Sequence, residues 1–279
     1  MTIKAETLNN KPKAIILRTA GTNCDNETKY ALEKAGAFVD LIHINQVLNE
    51  KSLLGLYQIL VLPGGFTYGD DIAAGKVLAN QLRHHLLDEL IQFVDDGKLI
   101  IGICNGFQVL VKMGLLPRIN DIQYSLNGHK QEFTLAYNDS NKFEDRWVYL
   151  RAFSNKSVFI DKDTILYIPV ANAEGKFMAK NEEKLRMLSE SEQIVFKYVD
   201  EEGNISGYPW DPSGSMGNVA GVCDPTGRIL GMMPHPERHV EPTQHPRWTR
   251  EGLKAEGEGI IIFRKAVDYI KEKMWKKKL

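Results

Sequence analysis

Cys104 stands between Gly102 and Gly106 in the stretch LIIGICNGFQVLVKM, Leu99 to Met113. A thiol set so can serve as a nucleophile. A short apolar run precedes it, and helical apolar spacing at Phe107, Leu110 and Val111 follows, so a strand hands over to a helix at Cys104. A turn this tight strains the nucleophile's backbone and leaves no room for side chains two residues before and two after, which Gly102 and Gly106 satisfy. At a helix N-terminus the aligned backbone dipoles favour thiolate over thiol. A buried cysteine in a glycine-bracketed turn is the plainer reading of the same stretch.

A thiolate nucleophile needs a proton-transfer partner and a group to orient that partner. The segment MMPHPERH offers His235 and Glu237 on either side of Pro236, which prevents a continuous helix and leaves imidazole and carboxylate free to lie side by side on a rigid turn. His239, four residues after His235, raises metal ligation. Pro236 spoils the helical geometry and no thiolate is near in sequence, so no metal is expected. Developing negative charge on a carbonyl oxygen calls for two donors. The Asn105 amide, unpaired at the helix start, is one. The loop Pro63-Gly64-Gly65-Phe66 supplies the other through Gly65, although Pro-Gly-Gly is also ordinary strand-ending punctuation.

These residues must be held by elements, and the first half alternates in the way that requires. Ala14 to Leu17, Phe38 to Ile44, Tyr57 to Leu62 and the run before Cys104 read as short buried strands. Between them lie a helix capped by Asp25 or Asn26 and ending near Gly36, and a long helix from about Ala74 to Asp95. This α/β pattern predicts a doubly wound, mostly parallel sheet of flavodoxin-like kind, with helices on both faces and ligands at the carboxyl ends of the strands. After Gly114 the stretches Glu132 to Tyr137, Trp147 to Phe153, Ile165 to Val170, Ile194 to Val199, Val219 to Val222 and Ile229 to Met233 alternate and predict additional antiparallel strands. A charged helix and turn over Lys180 to Glu192 and a last amphipathic helix from about Gly259 to Lys273 complete the chain. One domain over residues 1–279 is expected, with a polar N-terminal extension at 1–13 and an irregular insertion at 243–257.

Composition narrows the partners. Lys plus Arg (35) balances Asp plus Glu (36) for a formal charge of -1, so no strong field draws the chain to nucleic acid or anionic membranes. Three cysteines, Cys24, Cys104 and Cys223, are odd in number and widely spaced, against a disulfide framework. No apolar run is long enough to span a bilayer, and the N-terminus lacks a leader's apolar core; a cytoplasmic location is expected.

Taken together, GICNGFQ, LPGGFTYGDD and PHPER resemble the class I glutamine amidotransferases of the Cys-His-Glu triad type. GTNCD at Gly21 to Asp25, AEGKF at Ala173 to Phe177 and the run NVAGVCDPTGRILGMMPHPER are similar to those members that feed a synthase of purine biosynthesis. The resemblance implies that Cys104 attacks the side-chain amide of glutamine, that His235 transfers protons and that Glu237 orients it. It further implies Gly65 and Asn105 as oxyanion donors and Gly64, Gly65 and Gln108 as glutamine contacts. Ammonia would pass to a separate ATP-dependent synthase subunit, with a small third subunit often bridging the two. ATP and Mg are expected on that partner and no cofactor on this chain, which has no G-x-x-x-x-G-K-[ST] loop. One position departs from the family pattern, where Asn172 stands before the AEGKF element in place of His or a similar residue. A stand-alone hydrolase or peptidase of the same fold, and a catalytically silent regulatory module, are the alternative readings. The second predicts a lost nucleophile or a lost His-Glu pair, and this chain keeps all three residues.

Overall fold

The computed structural model describes residues 11–119 and 131–276. Residues 1–10 of the expected N-terminal extension and the last residues, 277–279, lie outside the described residues; Lys13 already belongs to the first strand. The chain runs β1 (Lys13–Arg18), α1 (Asp25–Lys34), β2 (Phe38–His43), α2 (Ile44–Asn49), β3 (Ile59–Leu62), α3 (Lys76–Asp95), β4 (Leu99–Ile103) and α4 (Asn105–Met113). It continues β5 (Phe133–Ala136), β6 (Glu144–Ala152), β7 (Ile165–Asn172), β8 (Lys176–Ala179), α5 (Glu182–Glu190), β9 (Ile194–Val199), β10 (Val219–Cys223), β11 (Ile229–Met232), α6 (Trp248–Glu251) and α7 (Ile260–Lys276).

Elements of both halves join one nine-stranded sheet in the order β2-β1-β3-β4-β11-β10-β9-β6-β7. The first four pair in parallel, as their uniformly apolar runs require of strands buried on both faces: every residue of β3 and β4 is buried. The chain moves outward from β1 to β2, then reverses to reach β3 and β4. Right-handed crossovers therefore put α1 and α3 on opposite faces. α7 packs beside α1, and α4 beside α3. Of the five remaining strands, β10, β9, β6 and β7 are antiparallel to their neighbours, and β5 pairs with β8 in a separate two-stranded sheet.

β11 is the exception in the second half. It returns across the chain to pair in parallel with β4, Gly231 against Gly102 and Met232 against Ile103. The carboxyl ends of β3, β4 and β11 thus lie side by side, and each leads into one candidate segment: Pro63 to Phe66, Cys104, and His235 to Glu237.

Several boundaries differ from expectation for identifiable reasons. α1 is not capped by Asp25 or Asn26: Cys24 occupies the cap position without a side-chain bond, and the Asp25 carboxylate pairs with Arg18. α3 starts at Lys76, because Gly75 sits at the cap with φ 69°, in the left-handed region. β3 starts two residues late because Lys51–Leu56 forms a 3-10 turn and Tyr57 donates its hydroxyl to Asp40. β6 begins at Glu144, three residues early, in full register with β7. The segment 243–257 is less irregular than expected. It contains α6 and follows a 3-10 turn over Pro242–Gln244 in which Gln244 Oε1 accepts from the Val240 and Glu241 amides. Its His245 joins Trp147, Tyr167 and His239 in an aromatic cluster against β6 and β7.

Candidate active site

The β4 to α4 junction is the strained turn that the glycines announce. Cys104 has φ 50° and ψ -105°, an unfavourable conformation for a residue with a Cβ. Its amide donates to Met232 O at 2.8 Å, tying the turn to the end of β11. The bracketing glycines are sterically required. A Cβ on Gly106 would lie 1.9 Å from Leu62 O, and one on Gly102 would meet Leu110 Cδ1 at 2.5 Å and the Gly106 backbone at 2.8 Å. Cys104 is 5% exposed and Sγ lies 3.7 Å from Ala171 O, at the end of β7.

His235 is delivered by β11 and fixed by its neighbours. Its amide donates to Pro169 O at 2.8 Å, and its Nδ1 bonds Glu237 Oε1 at 2.6 Å. His235 is 2% exposed and Glu237 1%. Burial disfavours the imidazolium, yet the Glu237 carboxylate, with contributions from Cys104 and Cys24, outweighs it and holds the His235 pKa well above the ordinary imidazole range. Nε2, the nitrogen not taken by Glu237, has no hydrogen-bond partner among the described residues. An imidazole oriented through one nitrogen and open at the other, beside a thiol, is the arrangement of a general base and its nucleophile. His239 is not part of it: its Nδ1 bonds Tyr167 O at 2.8 Å, two residues along β7 from the Pro169 carbonyl that accepts from the His235 amide.

The Pro63 to Phe66 loop closes the third side. Gly64 lies directly under the imidazole, where a Cβ would come within 2.7 Å of His235 Cε1. Its carbonyl accepts from the Asn23 and Cys24 amides, which binds the GTNCD loop at the end of β1 into the site. Gly65 has φ 148° and bridges Thr22, and a Cβ there would meet Gly21 O at 2.7 Å. A cleft of about 80 Å³ opens between Gly65, Cys104, Ala171 and His235, with Phe66 and Phe143 at its walls.

The Gln108 side-chain amide is bonded to the protein through both of its polar atoms. It is buried, its Nε2 donates to Glu174 O at 2.7 Å, and its Oε1 accepts from Asn105 Nδ2 at 3.0 Å. Asn105 in turn accepts at Oδ1 from both the Thr67 amide and hydroxyl, and donates to Asp70 Oδ1 at 3.0 Å. Asp70 also accepts from the Gly75 amide. The TYGD segment and the AEGKF element are therefore both fastened to the first turn of α4, and a half-buried Lys112–Glu174 pair at 3.4 Å ties AEGKF to the last turn of the same helix. Sequence reasoning placed Asn105 through its backbone and did not foresee this side-chain role. It also missed Cys24 and Arg238, which line the cleft, with Arg238 Nη2 3.1 Å from Cys24 Sγ. The available signal was position: GTNCD follows β1, so it ends at the same sheet edge as the other three loops.

Comparison with known proteins agrees with this geometry. Residues 11–270 match the family model described as CobB/CobQ-like glutamine amidotransferase domain. The chain is 46% identical over 266 residues to the phosphoribosylformylglycinamidine synthase subunit PurQ of Dehalococcoides mccartyi, covering 94% of this chain and 99% of that one. It is 42% identical over 272 residues to the subunit PurQ of Archaeoglobus fulgidus, covering 93% and 97%. Among solved structures, a chain of PurLQS from Thermotoga maritima superimposes with a TM-score of 0.68 at 29% identity, over 93% of this chain and 99% of that one. The chain belongs to the glutamine amidotransferase family and, within it, to the PurQ subunits of phosphoribosylformylglycinamidine synthase.

Proposed function

We propose that glutamine is hydrolysed here through a thioester on Cys104 and that the ammonia is passed to a separate ATP-dependent synthase chain. As a PurQ subunit, the chain is the glutaminase of an enzyme that makes formylglycinamidine ribonucleotide in purine biosynthesis. The observation that carries the mechanism is the side-by-side placement of the ends of β3, β4 and β11, which sets Gly65, Cys104 and His235 around one cleft.

In the first half-reaction His235 Nε2 takes the Cys104 proton as Sγ bonds to the glutamine Cδ. The amide C–N bond then breaks, and the same proton leaves on ammonia. In the second, His235 takes a proton from water, the hydroxyl adds to the thioester carbonyl, and the C–S bond breaks to give glutamate and the thiol. The Gly65 and Asn105 amides stabilise both tetrahedral oxyanions. Glu237 holds the tautomer and orientation of His235. Gly64 leaves room for the imidazole, and Gln108 acts by holding the AEGKF loop against α4.

ATP and Mg belong on the partner, with a small third subunit bridging the two chains; the likeness to the Thermotoga maritima PurLQS structure supports such an assembly. Three cysteines, all free, fit a reducing compartment, the cytoplasm. Among the described residues no helix is long and apolar enough to cross a membrane.

Reconstitution with the synthase subunit tests the reading. Cys104→Ala should abolish amidine formation from glutamine while leaving formation from added ammonium at the wild-type rate. Glutamine-dependent synthesis persisting in that variant would overturn the assignment.

A further inference from the structure

The hydrolytic reaction uses His235 and Glu237, but a third potential ligand stands with them that it does not use. Cys24 Sγ lies 3.9 Å from His235 Nδ1, and one ligand atom from each of Cys24, His235 and Glu237 falls within 4.8 Å of the others. All three residues are buried. Glu237 Oε2 is buried as well and has no hydrogen-bond partner among the described residues. One sulfur, one imidazole nitrogen and one carboxylate oxygen form a donor set suited to zinc, leaving a fourth position for water. Thiolate and carboxylate would neutralise the two charges of the ion, which removes the main obstacle to burying a cation.

We propose that Cys24, His235 and Glu237 form a zinc site whose occupation switches the glutaminase off. Zinc would bond to Cys24 Sγ, His235 Nδ1 and Glu237, releasing the Cys24 thiol proton to solvent and shifting the single proton of the neutral imidazole from Nδ1 to Nε2. The metal-bound imidazole then carries that proton on Nε2. That nitrogen can no longer accept the proton of Cys104, so the nucleophile is left without its base.

The geometric demand is modest. Bonds of about 2.0 to 2.3 Å in a tetrahedron keep ligand atoms roughly 3.3 to 3.8 Å apart. The 3.9 Å Sγ–Nδ1 separation must close by a few tenths of an ångström at most, and the 2.6 Å Nδ1–Oε1 bond must open by about 1 Å, which a turn of the carboxylate toward its unpartnered Oε2 supplies. Arg238 is the opposing group, with Nη2 3.1 Å from Sγ. Its side chain is 32% exposed and its Nε already lies 3.4 Å from Glu27 Oε1, so a bound cation can displace it toward that carboxylate.

Binding does not depend on the glutaminase reading; the switching does. Calorimetric titration of zinc into the full-length chain, with cobalt absorption as a reporter of thiolate ligation, tests the binding. One equivalent should bind in wild type and equally in Cys104→Ala. Cys24→Ala and Cys24→Ser should each weaken binding on the order of a hundredfold. The glutaminase activity that those two variants show without metal should resist zinc, whereas wild type should be inhibited and recover with a chelator. Unchanged affinity in both Cys24 variants would overturn the site. So would binding that is lost in Cys104→Ala and kept in Cys24→Ala, because it would place the metal on the nucleophile. Absence of glutaminase activity in metal-free wild type would instead count against the hydrolytic reading alone.

Discussion

Glu237 reaches the chemistry through one bond, to His235 Nδ1, and that bond governs the pH response of the site. Burial alone would push the His235 pKa down; the carboxylate is the first of the groups that reverse this and raise it. Glu237→Gln removes the charge and keeps a hydrogen-bonding side chain, so the His235 pKa should fall. The acid limb of the kcat/KM profile, which reports the base losing its proton, should move to lower pH, and maximal activity should drop less than in His235→Asn. The sign for stability follows from linkage. A histidine whose folded pKa is raised contributes stability fully present below its unfolded value near 6.5, and loses it as pH rises through the folded value. The stability difference between wild type and Glu237→Gln should therefore be largest in mildly acidic solution and shrink toward alkaline pH. A kcat/KM profile whose acid limb stays in place, or a stability gap that widens with pH, would contradict this role. Cys223 illustrates the opposite case, a thiol at which burial prevails over its charged neighbours. Burial pushes it up to about 12, so it stays protonated and unreactive.

At the scale of elements, the site depends on how closely α4 approaches β3. Gly106→Ala would drive a Cβ into Leu62 O, which is backbone and cannot step aside. It should cost about 3 kcal/mol or more in denaturant unfolding and abolish turnover by displacing the elbow. A variant as stable and active as wild type would mean that the turn is not the one described. This turn was legible in the sequence because its demands are local: two glycines, a preceding apolar run and a following helical period. The parallel first half was legible for the same reason, through short apolar strands alternating with helices. The pairing of β11 with β4 was not. It joins residues more than a hundred positions apart, and nothing in the ILGM run distinguishes a strand that returns to the parallel sheet from its antiparallel neighbours. The side-chain bonds of Asn105 to Thr67 and Asp70 were hidden likewise, since each partner alone reads as an ordinary polar loop residue. Cys24 looked like an unremarkable cysteine until β1 placed it beside His235.

Over the whole molecule, the proposed oxyanion donors sit on two independent pieces, the β3 loop and the β4 elbow, and the loop continues into a strained stretch. Tyr68, Asp70 and Ile72 all have positive φ, and Ile72 is 88% exposed. The same stretch is fastened to α4 through Asn105 and Asp70. A partner surface that presses on it is therefore mechanically connected to the nucleophile's helix. The isolated chain should be a weak glutaminase, and kcat/KM should rise on the order of a hundredfold with the synthase subunit and its nucleotide ligands present, because an ångström of misplacement costs about that much. Equal rates with and without the partner would refute the coupling. The central claim, that glutamine carbon is carried on Cys104 by a base delivered from β11, has a more direct test. The chain with its synthase partner is acid-quenched during turnover of glutamine and peptide-mapped by mass spectrometry. A γ-glutamyl adduct should appear on the peptide bearing Cys104, be absent in His235→Asn, and persist in Cys24→Ala. An adduct on Cys24 or Cys223, or one that forms at the wild-type rate without His235, would contradict the account.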